Sequence, residues 1–232
     1  MPQYRQSPFA NLTPVVKNLL IINLICFLPY ILMGENRYSE VVVRYGGLFY
    51  FDSPNFRVWQ LLTYMFLHGG FAHILFNMFA LFSFGPILEY AIGPKKFFNL
   101  YFICGIGAAL IQMLAQAIEV HMASGSFTIS GGMQIINQAG YDKVAAIYGG
   151  PTVGASGAIF GVVVAFAMLY PDLELMILFI PVPVKAKYLI PVYIVIELIS
   201  GFGQFSGDNV AHFAHLGGAL IGFLLIKIWR YR

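Results

Sequence analysis

The sequence predicts an all-α membrane protein, a bundle of six transmembrane helices, and two observations lead to this fold class. Hydrophobic residues make up 59% of the 232-residue chain and charged residues only 10%, whereas a soluble domain is about 25% charged. Apolar runs of roughly the 20 residues that cross a bilayer recur along the chain. A single water-surrounded globule has no use for so many apolar side chains, so membrane spans account for them.

The apolar runs give the order of the elements after a short N-terminal tail, residues 1–13. The segment 172–187 is predicted as an interfacial loop, because Pro181, Pro183 and Pro191 argue against one straight helix through it. The whole chain, 1–232, is predicted to form one transmembrane domain. We expect the six spans at about 14–33, 59–83, 97–118, 154–170, 188–203 and 210–229.

The placement of Lys and Arg predicts that both termini face the cytoplasm, since cytoplasmic loops carry the excess of positive charge. With that orientation nine basic residues lie inside: Arg5, Lys17, Lys95, Lys96, Lys185, Lys187, Lys227, Arg230 and Arg232. Four lie outside: Arg37, Arg44, Arg57 and Lys143. Because these residues flank span ends, the net charge of +3 requires no nucleic acid as a partner.

Two outward segments are predicted to be long loops, 34–58 after the first span and 119–153 between the third and fourth spans. A shorter outward segment, 200–209, contains three glycines and is expected to move.

The first apolar run is long and has no clear cleavage site after it, so we expect an uncleaved span. The short tails favour the inner membrane of a bacterium.

The stretch "PTVGASGAIFG", residues 151–161, surrounds one hydroxyl, that of Ser156, with glycine and alanine. Gly157 and Gly161 form a small-xxx-small pair, and so do Gly218 and Gly222 in the sixth span. Such pairs allow two helix backbones to approach closely. His215 shares the helix face of Gly218 and Gly222, so packing of these two spans would bring it to Ser156.

A serine and a histidine within hydrogen-bond reach are the elements of nucleophilic catalysis, since the imidazole can remove the proton of the hydroxyl. His73 and Asn77 are four residues apart in the second span and can both donate hydrogen bonds. With the backbone N–H of Ser156 they could stabilise an oxyanion. The sequence places no carboxylate to orient His215, so it predicts a Ser–His dyad without metal or cofactor.

Three motifs in register, "HGGFAHILFN", "GASG" and "AHLGG", resemble those of the rhomboid family of intramembrane serine proteases, over about residues 59–222. The resemblance implies that Ser156 is the nucleophile and His215 the general base, with the oxyanion hole formed by His73, Asn77 and the Ser156 amide. It also implies supporting roles, a cap loop at 200–209 and a lateral gate in span 5. The supporting residues are Gly154, Gly157, Phe160, Gly218, Gly222 and His68, the last in a hydrogen-bond network of the second span. The resemblance separately implies that Glu89 is a structural carboxylate after that span, outside the site.

Two positions depart from the family pattern. Gln60 follows Trp59 where the family often has arginine, which predicts an altered anchor for the first loop rather than lost activity. Phe160 stands where the family often has tyrosine, and its ring can stack on the base histidine but cannot donate a hydrogen bond.

Several alternatives stay open from the residues alone. His212 could be the base instead of His215, and these two could bind a metal with His68 and His73, although no acidic residue clusters with them in the sequence. Glu197 could relay protons, but we expect it near the outer end, bonded to loop groups or water. Beside an endopeptidase that cleaves transmembrane proteins in the lipid bilayer, the sequence allows a catalytically inactive relative that escorts membrane proteins, or a small transporter.

Overall fold

The computed structural model describes residues 12–132, 134, 137–177, 180–203 and 210–231. These residues are mostly helical, and two antiparallel strands, β1 (Glu174–Ile177) and β2 (Ile180–Lys185), form a hairpin. The helices are α1 (Pro14–Met33), α2 (Glu35–Tyr38), α3 (Arg44–Gly46), α4 (Gln60–Thr63), α5 (Phe71–Ile92), α6 (Pro94–Ser124), α7 (Gln138–Gly149), α8 (Ser156–Leu169), α9 (Ala186–Gly203) and α10 (His212–Ile228).

Four of the described helices, α1, α5, α6 and α9, are long and apolar enough to cross a membrane. The helices α8 and α10 are also apolar but shorter, with 14 and 17 residues. Each of these six helices overlaps one predicted span. The protein is therefore an integral membrane protein built of helices, while six crossings with both termini inside remain a prediction.

The predicted bounds of the second span, 59–83, are wrong by about ten residues at each end. Residues 60–66 form α4 and a 3₁₀ turn, and α5 begins only after Gly69 and Gly70. At the other end α5 accommodates Pro86 and continues to Ile92. Gly93, the residue that follows, has a φ of +82°. Positive φ is accessible to glycine without steric cost, so Gly93 rather than Pro86 is the stop signal.

Glu89 consequently lies inside α5, where its buried carboxylate caps the N-terminus of α1. It accepts hydrogen bonds from the Thr13 hydroxyl at 2.5 Å, the Val15 amide at 3.1 Å and the Val16 amide at 2.9 Å. The first amides of a helix have no acceptor within the helix, and a carboxylate there also interacts favourably with the helix dipole. The expected structural role of Glu89 thus has a specific form, the joining of α1 to α5.

The segment predicted as a loop, 172–187, contains the hairpin of β1 and β2. Met176 pairs with Pro183 and Glu174 with Lys185. Proline has no N–H for a sheet interior, but a two-stranded hairpin has only edges, so it tolerates proline. The Lys187 ammonium lies 2.7 Å from a carboxylate oxygen of Asp172, and this hydrogen bond lowers the pKa of the Asp172 carboxyl.

At the centre of the fold α8 packs against α5, α6 and α10, and α10 also packs against α6. The two glycine pairs face each other at the α8–α10 contact, as the sequence predicts. A Cβ atom added at Gly222 would lie only 2.5 Å from the Gly161 carbonyl oxygen, and one added at Gly218 would overlap the Gly157 carbonyl. Only glycine therefore permits this separation of the two backbones.

The described residues of the two segments predicted as long outward loops, 34–58 and 119–153, are partly helical and pack on each other. The first contains α2, a π-helix at Ser39–Val43 and α3, and the second begins with the end of α6 and includes α7. Leu48 and Thr152 exchange backbone hydrogen bonds of 2.9 and 2.8 Å. Asp52 accepts from the Tyr148 hydroxyl at 2.7 Å, and burial together with this carboxylate raises the pKa of Tyr148, so the phenol remains a donor.

Gln60 anchors the first outward segment, as expected for the residue that replaces the family arginine. Its side chain is fully buried and makes four hydrogen bonds. The amide oxygen accepts from the Phe49 and Arg57 backbone amides, and the amide nitrogen donates to the carbonyls of Tyr45 and Asn55. A neutral amide thus satisfies both donors and acceptors of the loop backbone, which a guanidinium, a pure donor, cannot do.

Candidate active site

Ser156 is the first residue of α8, and the chain reaches it through a turn at Gly154. The φ angle of Gly154 is +128°, a conformation that side chains rarely adopt. A helix of 14 residues is about 21 Å long, shorter than the ~30 Å hydrocarbon core. The N-terminus of α8 therefore cannot reach one membrane surface if its C-terminus reaches the other.

His215 in the first turn of α10 faces Ser156. Its Nε2 atom lies 2.8 Å from the Ser156 Oγ atom, within hydrogen-bond distance. The imidazole is buried, and the contact exists because the glycine pairs let α8 and α10 approach. The spatial relation predicted from the spacing of His215, Gly218 and Gly222 is present in the structure.

Phe160, one turn after Ser156, covers one face of the imidazole. Its ring stacks on His215 with centroids 4.3 Å apart and an interplanar angle of 9°. The stacked ring restricts rotation of the imidazole, so Nε2 stays directed at the serine.

The expectation that no carboxylate faces the base is wrong. Glu197 on α9 directs its Oε2 atom at the Nδ1 atoms of both His215, at 2.9 Å, and His212, at 2.7 Å. The expectation that Glu197 bonds loop groups or water is corrected by the same contacts. Sequence reasoning missed the cluster, although one signal was available: an acidic residue within an apolar span needs a partner.

His73 lies near Ser156, against the glycine turn. A Cβ atom at Gly154 would lie 2.6 Å from the His73 Nε2 atom and 3.6 Å from Ser156 Oγ. The Gly69 amide donates to His73 Nδ1 at 3.4 Å. In a neutral ring whose Nδ1 accepts, Nε2 carries the proton, so His73 presents a donor next to Gly154.

Asn77 follows His73 by one turn of α5 and is buried. Its amide nitrogen has no hydrogen-bond acceptor among the described residues, and neither ring nitrogen of His68 has a partner there. The His68 ring packs against His73 with centroids 5.1 Å apart. Buried donors without protein partners are uncommon and are found where a ligand or water is bound.

Among the described residues, one group of three has the arrangement of possible metal ligands, namely Glu197, His212 and His215. Their ligand atoms lie within 4.8 Å of one another. This set differs from the histidine set that the sequence suggested, because it contains an acidic residue and lacks His68 and His73. The distances of 2.7 and 2.9 Å from Glu197 Oε2 to the two Nδ1 atoms are those of charge-assisted hydrogen bonds.

Only part of the segment predicted as a cap loop, 200–209, lies within the described residues. Gly201 and Gly203 form the last turn of α9, and residues 204–209 lie outside the described residues.

The fold and the site together define the class of protein: an integral membrane protein with a serine–histidine contact inside its helix bundle. The rhomboid domain family matches residues 55–232, and the chain belongs to the rhomboid family.

Proteins of known name show the same relationship. The chain is 31% identical to the rhomboid protease AarA of Providencia stuartii over 89% of this chain and 69% of that protein. It is 28% identical to the putative rhomboid protease YdcA of Bacillus subtilis, over 94% and 89%. It is 31% identical to the mitochondrial rhomboid protein 1 of Saccharomyces cerevisiae over 68% of this chain but only 38% of the yeast protein.

Proposed function

We propose that this protein is a serine endopeptidase that cleaves transmembrane helices of partner membrane proteins near the outer face of the bilayer. The observation that carries the proposal is the 2.8 Å contact between Ser156 Oγ and His215 Nε2. Relatives named as rhomboid proteases support it. The proposal includes six membrane crossings with both termini in the cytoplasm, and the inner membrane of a bacterium as its location.

In the acylation step Ser156 Oγ attacks the scissile carbonyl carbon while its proton passes to His215 Nε2. The carbonyl oxygen becomes an oxyanion, for which His73 Nε2–H, the Asn77 amide and the Ser156 backbone N–H are the proposed donors. When the tetrahedral intermediate collapses, the C–N bond breaks and the imidazolium gives its proton to the leaving amine. An ester between Ser156 and the N-terminal part of the substrate remains.

Deacylation repeats the sequence with water as the nucleophile. His215 removes a proton from water, the hydroxide attacks the ester carbonyl, and the proton returns to Ser156 Oγ as the acid product leaves. A transmembrane helix hides its carbonyl groups in its own hydrogen bonds. The substrate must therefore unwind locally, and glycine or proline near the cleavage position should favour hydrolysis.

The test is cleavage of a model transmembrane substrate by the purified protein in proteoliposomes, with product identification by mass spectrometry. Ser156→Ala and His215→Ala should each lower the rate at least about 10³-fold. Ser124→Ala and His121→Ala are matched controls, because these residues lie at the far end of α6, and both should retain activity.

A fluorophosphonate probe tests the nucleophile without knowledge of the natural substrate. We expect it to label Ser156 in the wild-type protein and in His121→Ala, and to label neither Ser156→Ala nor His215→Ala. Binding of substrates without cleavage or labelling would instead favour the inactive, escorting relative. Full activity of Ser156→Ala would refute the proposed mechanism.

A further inference from the structure

The residue that faces the second nitrogen of the proposed base comes from a peripheral helix. Val195, Ile196 and Ile199 of α9 are 50% to 59% exposed, whereas Glu197 is only 4% exposed. Its Oε2 atom lies 2.9 Å from His215 Nδ1 and 2.7 Å from His212 Nδ1. The carboxylate is thus directed inwards, at the two histidines of the first turn of α10.

We propose that Glu197 is a positioning residue for His215, held in place by His212, so that the chain contains a Ser156–His215–Glu197 triad rather than a dyad. This inference rests on the proposed function for its consequence in catalysis. The juxtaposition itself, one carboxylate oxygen shared by two imidazoles, is a property of the structure.

The first step of the argument concerns the tautomer of His215. An ionised carboxylate only accepts hydrogen bonds, so the Nδ1 atoms of His215 and His212 must both carry protons. A neutral His215 protonated on Nδ1 has an unprotonated Nε2, which is the atom 2.8 Å from Ser156 Oγ. The contact with Glu197 therefore selects the one neutral tautomer that can accept the serine proton.

The second step concerns charge. When His215 accepts the proton of Ser156 it becomes an imidazolium, and the adjacent carboxylate stabilises that cation. The side chains of Glu197 and His215 are 5% and 11% exposed, so solvent screens this attraction only weakly. The hydrogen bond to His212 is sufficient to join α9 to α10. The second hydrogen bond of Glu197, to His215, is the one that acts on the proposed base.

The third step concerns how α9 approaches. Gly201 lies one turn after Glu197 on the same face, and a Cβ atom there would be 3.2 Å from the His212 Cβ atom and 3.5 Å from the Phe213 ring. The small residue lets α9 lie close to the first turn of α10. His212 donates to the same oxygen as His215, which fixes the carboxylate from a second direction.

The kinetic test compares Glu197→Gln, Glu197→Asp and His212→Ala with the wild-type protein in proteoliposomes, with KM expressed as the mole fraction of substrate in the lipid. In Glu197→Gln the amide nitrogen can donate to His215 Nδ1, which moves the ring proton to Nε2. We expect kcat to fall by about 10²–10⁴-fold with KM unchanged. Glu197→Asp should recover part of kcat, and His212→Ala should lose only about three- to tenfold.

Glu89→Gln is the matched control, because Glu89 is also a buried carboxylate in a helix but caps α1 instead of facing a histidine. It should lower the melting temperature while kcat of the folded protein stays unchanged. Two results would overturn the proposal. One is a kcat of Glu197→Gln within about threefold of wild type. The other is a loss of kcat in Glu197→Gln no larger than that in Glu89→Gln at the same loss of melting temperature.

A spectroscopic measurement separates this inference from the proposed function. In ¹⁵N-histidine-labelled Ser156→Ala protein, the ring nitrogen shifts of His215 should report a proton on Nδ1, and Glu197→Gln in that background should move it to Nε2. An Nε2-protonated ring before the Glu197 substitution would overturn the inference. If the wild-type protein neither cleaves nor is labelled by fluorophosphonate, the proposed function fails, while these shifts still decide the role of Glu197.

Discussion

Substitution of Gly218 by alanine tests the contact on which the whole site depends, the close crossing of α8 and α10. The added Cβ would overlap the Gly157 carbonyl oxygen and lie 2.7 Å from the Gly157 carbonyl carbon. Both atoms belong to the backbone of α8, so neither can rotate away. The two helices must therefore separate.

The required separation can be worked out at the neighbouring glycine. A Cβ at Gly222 would lie 2.5 Å from the Gly161 carbonyl oxygen, against the 3.4 Å at which ordinary contact begins, a shortfall of about 0.9 Å. The shortfall at Gly218 is larger, and Gly218 lies only three residues after His215. A displacement near 1 Å would stretch the 2.8 Å contact of His215 with Ser156 beyond hydrogen-bond length.

We therefore expect Gly218→Ala to lower kcat by about 10²-fold or more and the stability by about 1–3 kcal/mol. Gly222→Ala should have a similar effect on stability but a smaller one on kcat, because it lies two turns from His215. The assays are substrate cleavage in proteoliposomes and thermal unfolding in detergent. Gly149→Ala is the control, since a Cβ there meets no atom within 4 Å. Wild-type activity and melting temperature in Gly218→Ala would show that the two helices do not cross as closely as described.

Substitutions at three further positions address the remaining parts of the site and its support. Asn77→Ala should reduce kcat by about 10²–10³-fold with little change in KM, because a donor to the proposed oxyanion is lost; an unchanged kcat in steady-state assays would exclude that role. Phe160→Leu should reduce kcat by about two- to tenfold through loss of the stacked ring, whereas Phe160→Tyr should match wild type; equal rates in all three proteins would contradict a role of the stack. Gln60→Ala should destabilise the protein by at least about 2 kcal/mol, because it leaves buried backbone groups unpaired, and a melting temperature unchanged within about 1 °C would refute this anchor.

Local chemistry made some elements predictable and left others undetermined. The first span, predicted at 14–33, coincides with α1, because it is one apolar run with Pro14 in its first turn. The second span was misplaced because apolar residues continue through 59–70, where the chain forms α4 and a turn. The hairpin of β1 and β2 was missed because its alternating prolines exclude a helix without indicating which non-helical structure replaces it.

The contact between Ser156 and His215 was accessible from the sequence for a physical reason. Two glycine pairs at four-residue spacing allow a close helix crossing, and the spacing of His215 from Gly218 puts it on the same face. The contact of Glu197 with His215 was not accessible. It depends on the rotation of α9 about its own axis, and α9 carries proline, apolar residues and one acid with no periodic pattern that sets this rotation.

The sequence by itself determined a helical membrane protein of the rhomboid family, the helices that carry the serine and the histidine, and the glycine faces that join them. These follow from hydrophobic length and from i, i+3 and i+4 geometry, which are properties of single helices. Only the tertiary structure decided that Glu89 caps α1, which backbone groups of the first outward segment Gln60 bonds, and that Glu197 faces both histidines. Those contacts join residues of different elements, and their distances are set by how whole helices pack rather than by any one segment.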